Sequence, residues 1–185
     1  SGAIDLIDGN LADAGSTGDA AVILRSGAIL RKDAFENTEP SDVRTRLVMQ
    51  DGARVEARAS TLSIDGEIQL EGTGVCEVAG GTLRLDGGAT EIGSGALLEI
   101  EGDGGACVIG GSGQWDGVDV AVRRDVLFDS GTFTEASVVT VTDGAVAAWR
   151  STNLDGVGAD LVIETDSAVV FESGANVGAS AALAS

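Results

Sequence analysis

The 185-residue chain has no histidine, no tyrosine, one proline and two cysteines, and only 3% of it is aromatic. Each scarcity removes a class of protein. Without histidine there is neither a His-based triad nor a His-ligated zinc site. Two cysteines do not make a disulfide-dense scaffold. Basic residues number 11 against 30 acidic ones, a formal charge of -19. Phosphate contacts need clustered Lys and Arg, so no nucleic-acid partner is expected. No run of about 20 apolar residues occurs, so no membrane-spanning helix is expected. The opening Ser1-Gly2-Ala3-Ile4 carries neither the basic nor the apolar region of a secretory signal, so none is visible; a mature form after cleavage and a chain that has lost its initiator Met are both open readings.

What is present is glycine (28 residues), aspartate and β-branched residues, with 43% of the chain hydrophobic. That fraction is enough to bury a core. The aromatics are Trp115, Trp149, Phe35, Phe128, Phe133 and Phe171, so Val, Ile, Leu and Ala must supply most of the core. Small side chains of this kind suit thin, closely stacked layers. The acidic excess reads either as solubility by self-repulsion, as in halophilic compositions, or as divalent-cation binding by carboxylates. The charge is uneven. Residues 1–60 hold seven basic groups against ten carboxylates, and residues 61–185 hold four against twenty. Such asymmetry favours head-to-tail contact between subunits.

Apolar residues alternate over short stretches and then a glycine turn intervenes. Leu62-Ser63-Ile64, Ile68-Gln69-Leu70, Leu83-Arg84-Leu85, Leu98-Glu99-Ile100, Val139-Thr140-Val141 and Leu161-Val162-Ile163 all follow this pattern. A period of two with β-branched residues predicts strands. Asp-Gly, a turn dipeptide, recurs at 8, 51, 65, 86, 103, 116, 143 and 155, at irregular intervals. The stretch Ile68–Cys76 resembles Leu98–Cys107, which suggests a repeat near thirty residues, as solenoid coils leave. The expected fold is all-β: a Gly-rich β-solenoid, parallel β-helix-like, with an N-terminal strand region. A β-sandwich or jelly roll is the alternative. Four zones are read: an arm or cap over 1–19, a strand region over 20–60, a short-strand solenoid body over 61–172, and an Ala-rich tail over 173–185.

The run from Gly81 to Gly102, GTLRLDGGATEIGSGALLEIEG, resembles coils of parallel β-helix surface proteins such as autotransporter passengers, haemagglutinin-type adhesins and phage spikes. The resemblance is one of texture over about 110 residues. It implies a surface or virion setting and brings no catalytic residues with it.

Several constellations are candidates for chemistry. Residues 110–119 and 156–162 resemble the calcium-binding nonapeptide of repeats-in-toxin proteins, which makes Asp116, Asp119 and Asp160 candidate ligands for a structural Ca²⁺. Asp5, Asp8, Asn10 and Asp13 form a second oxygen-rich cluster. Arg123-Arg124-Asp125 is the only juxtaposition of the kind a pectate-lyase-like site would use. Thr132, Thr134, Thr140 and Thr142 form two T-x-T pairs, which strand propensity accounts for. Cys76 and Cys107 sit in similar contexts; a disulfide and a buried stack are both open readings. Arg44, Arg46, Arg54 and Arg58 put positive charge on strands and are candidate assembly contacts.

These features favour a non-catalytic structural subunit. It is expected to assemble with copies of itself into a surface filament, surface layer or virion component, through strand edges and charge. No cofactor is expected, and the expected setting is extracellular or cell-surface, with a virion as the alternative. A glycan-binding adhesin is the second reading and needs an exposed patch near Trp115 or Trp149. A carbohydrate-active enzyme is the third.

Overall fold

A computed structural model describes residues 2–6, 20–33, 39–92, 94–134, 136–155, 158–178 and 182–184. After β1 (Ala3–Leu6) and β2 (Ala21–Leu24), the chain winds through seven turns of three strands each. These are β3 (Ile29–Lys32), β4 (Ser41–Val43) and β5 (Arg46–Gln50), then β6 (Ala53–Ala57), β7 (Thr61–Ile64) and β8 (Ile68–Glu71). There follow β9 (Thr73–Val78), β10 (Thr82–Leu85) and β11 (Ala89–Glu91), then β12 (Leu97–Glu101), β13 (Ala106–Gly110) and β14 (Gln114–Asp116). The later turns are β15 (Asp119–Val122), β16 (Val126–Asp129) and β17 (Thr132–Thr134), then β18 (Val138–Val141), β19 (Val146–Arg150) and β20 (Asn153–Leu154). The last is β21 (Asp160–Ile163), β22 (Ala168–Phe171) and β23 (Asn176–Val177), after which β24 (Ala182–Ala184) begins another.

Corresponding strands of successive turns stack in parallel into three sheets. Sheet A has nine strands (β1 and then every third strand from β3 to β24), sheet B seven (β4 to β22) and sheet C eight (β2, then β5 to β23). The expected β-solenoid is therefore the fold. Strands β2 to β6, in the stretch read as an N-terminal strand region, occupy the same sheets as the rest, and their pairings are parallel. This excludes the sandwich alternative, whose sheets would be antiparallel. β1, within the zone read as an arm, pairs with β3, and β23 and β24, within the tail, pair with β20 and β21.

The turns differ in length, from 26 residues (Ala3 over Ile29) to 18 (Trp115 over Phe133). None reaches the thirty suggested by the apparent duplication. Its two copies occupy different faces: Ile68–Cys76 rounds the corner from sheet C to sheet A, whereas Leu98–Cys107 rounds that from A to B. One turn plus one side separates them. The likeness reflects corner chemistry that all faces share.

Alternation along each strand sends one set of side chains inward, and stacking turns that set into columns. Sheet A contributes Leu30, Val55, Cys76, Ile100, Val122 and Val141, all buried, in consecutive register. The described aromatics are not scattered through this core; Phe35 lies outside the described residues. Trp115 and Phe133 stack at 5.4 Å, Phe128 and Trp149 at 4.4 Å, and Trp149 continues to Phe171 at 6.4 Å. They fill the interior of the later turns, while Leu, Ile and Met fill the earlier ones. The Trp149 indole N–H donates to the Thr152 carbonyl, whereas that of Trp115 is buried without an acceptor among the described residues.

The corners depend on glycine for close approach. A Cβ at Gly87 would lie 2.2 Å from the Gly66 carbonyl oxygen of the turn beneath, and one at Gly66 would lie 2.0 Å from that of Thr45. Gly27, at φ +71°, has no atom within 4 Å of such a Cβ. Gly87→Ala should therefore lower stability by about 1–3 kcal/mol through overpacking. Gly27→Ala should cost only the left-handed backbone penalty, about 1 kcal/mol. Urea unfolding of the two variants checks this, and equal effects would remove the stacking argument.

Candidate functional site

The outer faces are where chemistry would sit. On sheet A, Glu56, Glu77 and Glu101 stand one above another in register. Arg54, in the adjacent column, spans them. Its Nη2 donates to Glu77 Oε2 and to Glu101 Oε1, each at 2.7 Å. The Glu77 hydrogen bond does most to hold its guanidinium protonated more firmly than usual. Glu56, whose side chain is only 5% exposed, has Arg58 Nη2 at 2.9 Å and Arg54 Nε at 3.8 Å. Its Oε2 lacks a well-aligned hydrogen bond, so that attraction is chiefly electrostatic. Higher up the same face, Arg123 bridges Asp143 (3.0 Å) and Glu99 (3.1 Å).

The four arginines read as assembly contacts are thus divided among corners and faces. Arg54 and Arg58 neutralise the glutamate column of their own chain. Arg44, between β4 and β5, pairs with Asp42 at 2.7 Å and Asp65 at 3.8 Å. Arg46 opens β5 on sheet C and makes no ion pair with the described residues.

The three aspartates read as calcium ligands are not brought together. Asp119 and Asp160 lie in one outward column of sheet A with Val138 between them, and Asp116 lies on sheet C. Two rungs are about 10 Å, too far for a shared ion. Each described contact of these groups ties one turn to the next: the Asp119 carboxylate accepts the Val138 N–H at 3.2 Å, and Asp116 accepts the Thr134 hydroxyl at 3.2 Å. Burial holds the Asp119 carboxyl above its ordinary range, as it does Asp65, where Asp42 and Asp86 add to the effect. Among the described residues no group of three or more Asp, Glu or Cys converges as a metal site would. Asp8, Asn10 and Asp13 lie outside the described residues.

Arg123-Arg124-Asp125 is likewise occupied by the fold. Arg124 donates to the carbonyls of Val78, Gly104 and Gly105, closing the A–B corner across turns. Asp125 accepts the Val146 N–H at 2.8 Å. The aim of Arg124 at carbonyls one and two turns below had no signature in the sequence. The T-x-T pairs belong to different sheets, Thr132 and Thr134 to C, Thr140 to A with Thr142 just beyond it. Trp115 and Trp149 are both fully buried, which removes them as an exposed platform for a glycan.

Cys76 and Cys107 are free thiols, buried in sheets A and B respectively. Burial pushes the Cys107 thiol up to about 12 and that of Cys76 well above the usual range. They fit the core as small apolar groups rather than nucleophiles.

Two measurements test these assignments. Arg54→Ala should lose about 1–2 kcal/mol, a charge-assisted pair of bonds discounted for partial exposure. The loss should shrink in 1 M salt, since stacked like charges are then screened; a loss independent of salt would point to packing instead. The raised thiol values fix a sign. Thiols ionise first in the unfolded chain, near the ordinary 9.0, while the folded chain keeps them neutral. Their contribution is therefore full below about pH 9 and falls as pH rises toward 12. Urea midpoints should drop less between pH 8 and pH 10.5 in Cys76→Ala/Cys107→Ala than in wild type. An identical drop would contradict the assignment.

No family model matches the chain, and no curated protein or solved structure is significantly similar to it.

Proposed function

We propose that this protein is a non-catalytic structural subunit that self-assembles into a surface filament, a surface layer or a virion component. One observation carries the reading: core columns of the solenoid are open to solvent at outermost described strands of sheets A and B. Phe171 continues the buried column of Phe128 and Trp149 yet is 47% exposed, and Ile4 continues that of Leu30 and Val55 yet is 43% exposed. Both lie on terminal strands, β22 of sheet B and β1 of sheet A. A second copy stacked end on end covers the apolar ends and continues the parallel ladders, as strand addition does.

The use of charge agrees with this. Among the described residues, carboxylates and arginines of the outer faces are engaged between turns, which stiffens a rod rather than gathering reactive groups in a cleft. Electrostatic attraction between ends has a narrower basis than the sequence suggests, because Arg44, Arg54 and Arg58 already have internal partners.

Sedimentation velocity in matched low and high salt tests the proposal. With a charge of -19, copies repel at low salt, so assemblies should grow as salt rises. Phe171→Asp should reduce their size at least tenfold without lowering the content of β structure. A wild-type protein that stays an 18.4 kDa monomer at all salt concentrations would overturn the reading.

A further inference from the structure

The three outer faces are not alike. Sheet A carries the ion-pair columns, and sheet C presents groups such as Gln69, Thr90 and Asp116 in register. Sheet B begins in the same way, with Asp42, Ser63 and Arg84 stacked outward. Above Arg84 the column changes character. Val108, Leu127, Ala148 and Val170 follow one another in consecutive register, half-buried to 49% exposed. Beside them stand Ala106, Asp125, Val146 and Ala168, all exposed, with the Asp125 carboxylate held by the Val146 N–H. A groove of about 520 Å³ opens along it, edged by Gly104, Gly105, Arg124 and Asp125. Arg124 is saturated by backbone carbonyls.

We infer that this strip is a lateral interface between two copies of the chain, packed face to face and running antiparallel. The inference rests on the self-assembly reading and adds a second contact to it, along the side of the rod. Two features select a second copy as the occupant. First, like charge opposes approach of two such acidic chains over most of their surface, and the four residues of the strip carry none. Second, the column bordering the strip alternates in sign: Asp129, Arg150 and Glu172 are stacked in that order, with Arg150 Nε 2.9 Å from Glu172 and its Nη1 3.8 Å from Asp129. A two-fold axis parallel to the strands, placed between β16 and β19, sets Arg150 of each copy opposite Asp129 of the other. The same operation lays Leu127 against Ala148 and Val108 against Val170, so the whole apolar column is covered. The border is thus complementary to itself, as an isologous contact requires.

The test uses single charge reversals in the full chain, followed by sedimentation velocity and by filament width in electron micrographs. Arg150→Glu makes its border wholly acidic, and Asp129→Arg leaves two adjacent positive groups. Each variant alone should lose lateral pairing. A 1:1 mixture should restore it as heterodimers, because the acidic pair of one then faces the basic pair of the other. A purely intramolecular role for the Arg150–Asp129 pair does not produce rescue on mixing. Ala148→Glu, an outward substitution whose thermal midpoint should match wild type, should also abolish pairing.

The outcomes separate the two proposals. Filaments one solenoid wide that are indifferent to Ala148→Glu overturn the lateral contact and leave the structural-subunit reading standing. Failure of the mixture to pair overturns the antiparallel arrangement, and with it the inference. Pairs without longer polymers support the lateral contact and overturn end-to-end growth. A monomeric wild type overturns both.

Discussion

Parallel stacking of one turn on the next is the constraint from which the rest of this structure follows. Rungs lie about 4.8 Å apart, and the register sets each side chain over its counterpart. Two like charges at that distance repel by about 1 kcal/mol in water and by about 3 kcal/mol at the effective dielectric of a protein surface. With 30 carboxylates in the chain, unrelieved columns of acid would unwind it. The outer faces relieve them in two ways. Arginines reach along a column, as Arg54 does to Glu77 and Glu101. Elsewhere a carboxylate accepts a backbone N–H from the turn above, as Asp119 and Asp125 do.

The same stacking governs the interior and the corners. Inward positions are mostly apolar from turn to turn, as in the continuous column from Leu30 to Val141, with buried Lys32 and Ser41 as exceptions in the first turn. Corners must let backbones pass within van der Waals contact, which is why Gly66 and Gly87 sit over carbonyls of the turn below. Turn length, by contrast, is free to vary at the corners provided the strands return to register. The shortest spacing, Trp115 to Phe133, falls among the aromatic-filled turns.

The fold was largely legible because it is local. Leu62–Ile64, Leu83–Leu85 and Leu161–Ile163 alternate as strands, and each lies in a strand facing the core with its first residue. Spacing was not legible. The likeness of Ile68–Cys76 to Leu98–Cys107 arises because corners on different faces obey the same steric rule, so self-similarity need not measure a full turn. The outer-face sites were less legible still. Arg54 finds its partners 23 and 47 residues away, distances that depend on the lengths of intervening turns. Read in sequence, Arg54 and Arg58 looked like free positive charge on a strand; stacked, they are counter-ions. Asp116, Asp119 and Asp160 show the converse. Their shared Asp-and-Gly context suggested one ion site, and the winding sends them to two sheets.

The confinement of the aromatic cluster to the later turns has a consequence for how unfolding is seen. Both tryptophans, Trp115 and Trp149, belong to it, packed around Phe128 and Phe133. In a solenoid each turn is coupled mainly to its neighbours, so ends and middle need not melt together. Indole emission therefore reports the C-terminal half of the rod alone, while far-ultraviolet dichroism averages over all of it. The fold thus carries its own position-selective probe, able to reveal from which end the rod unzips.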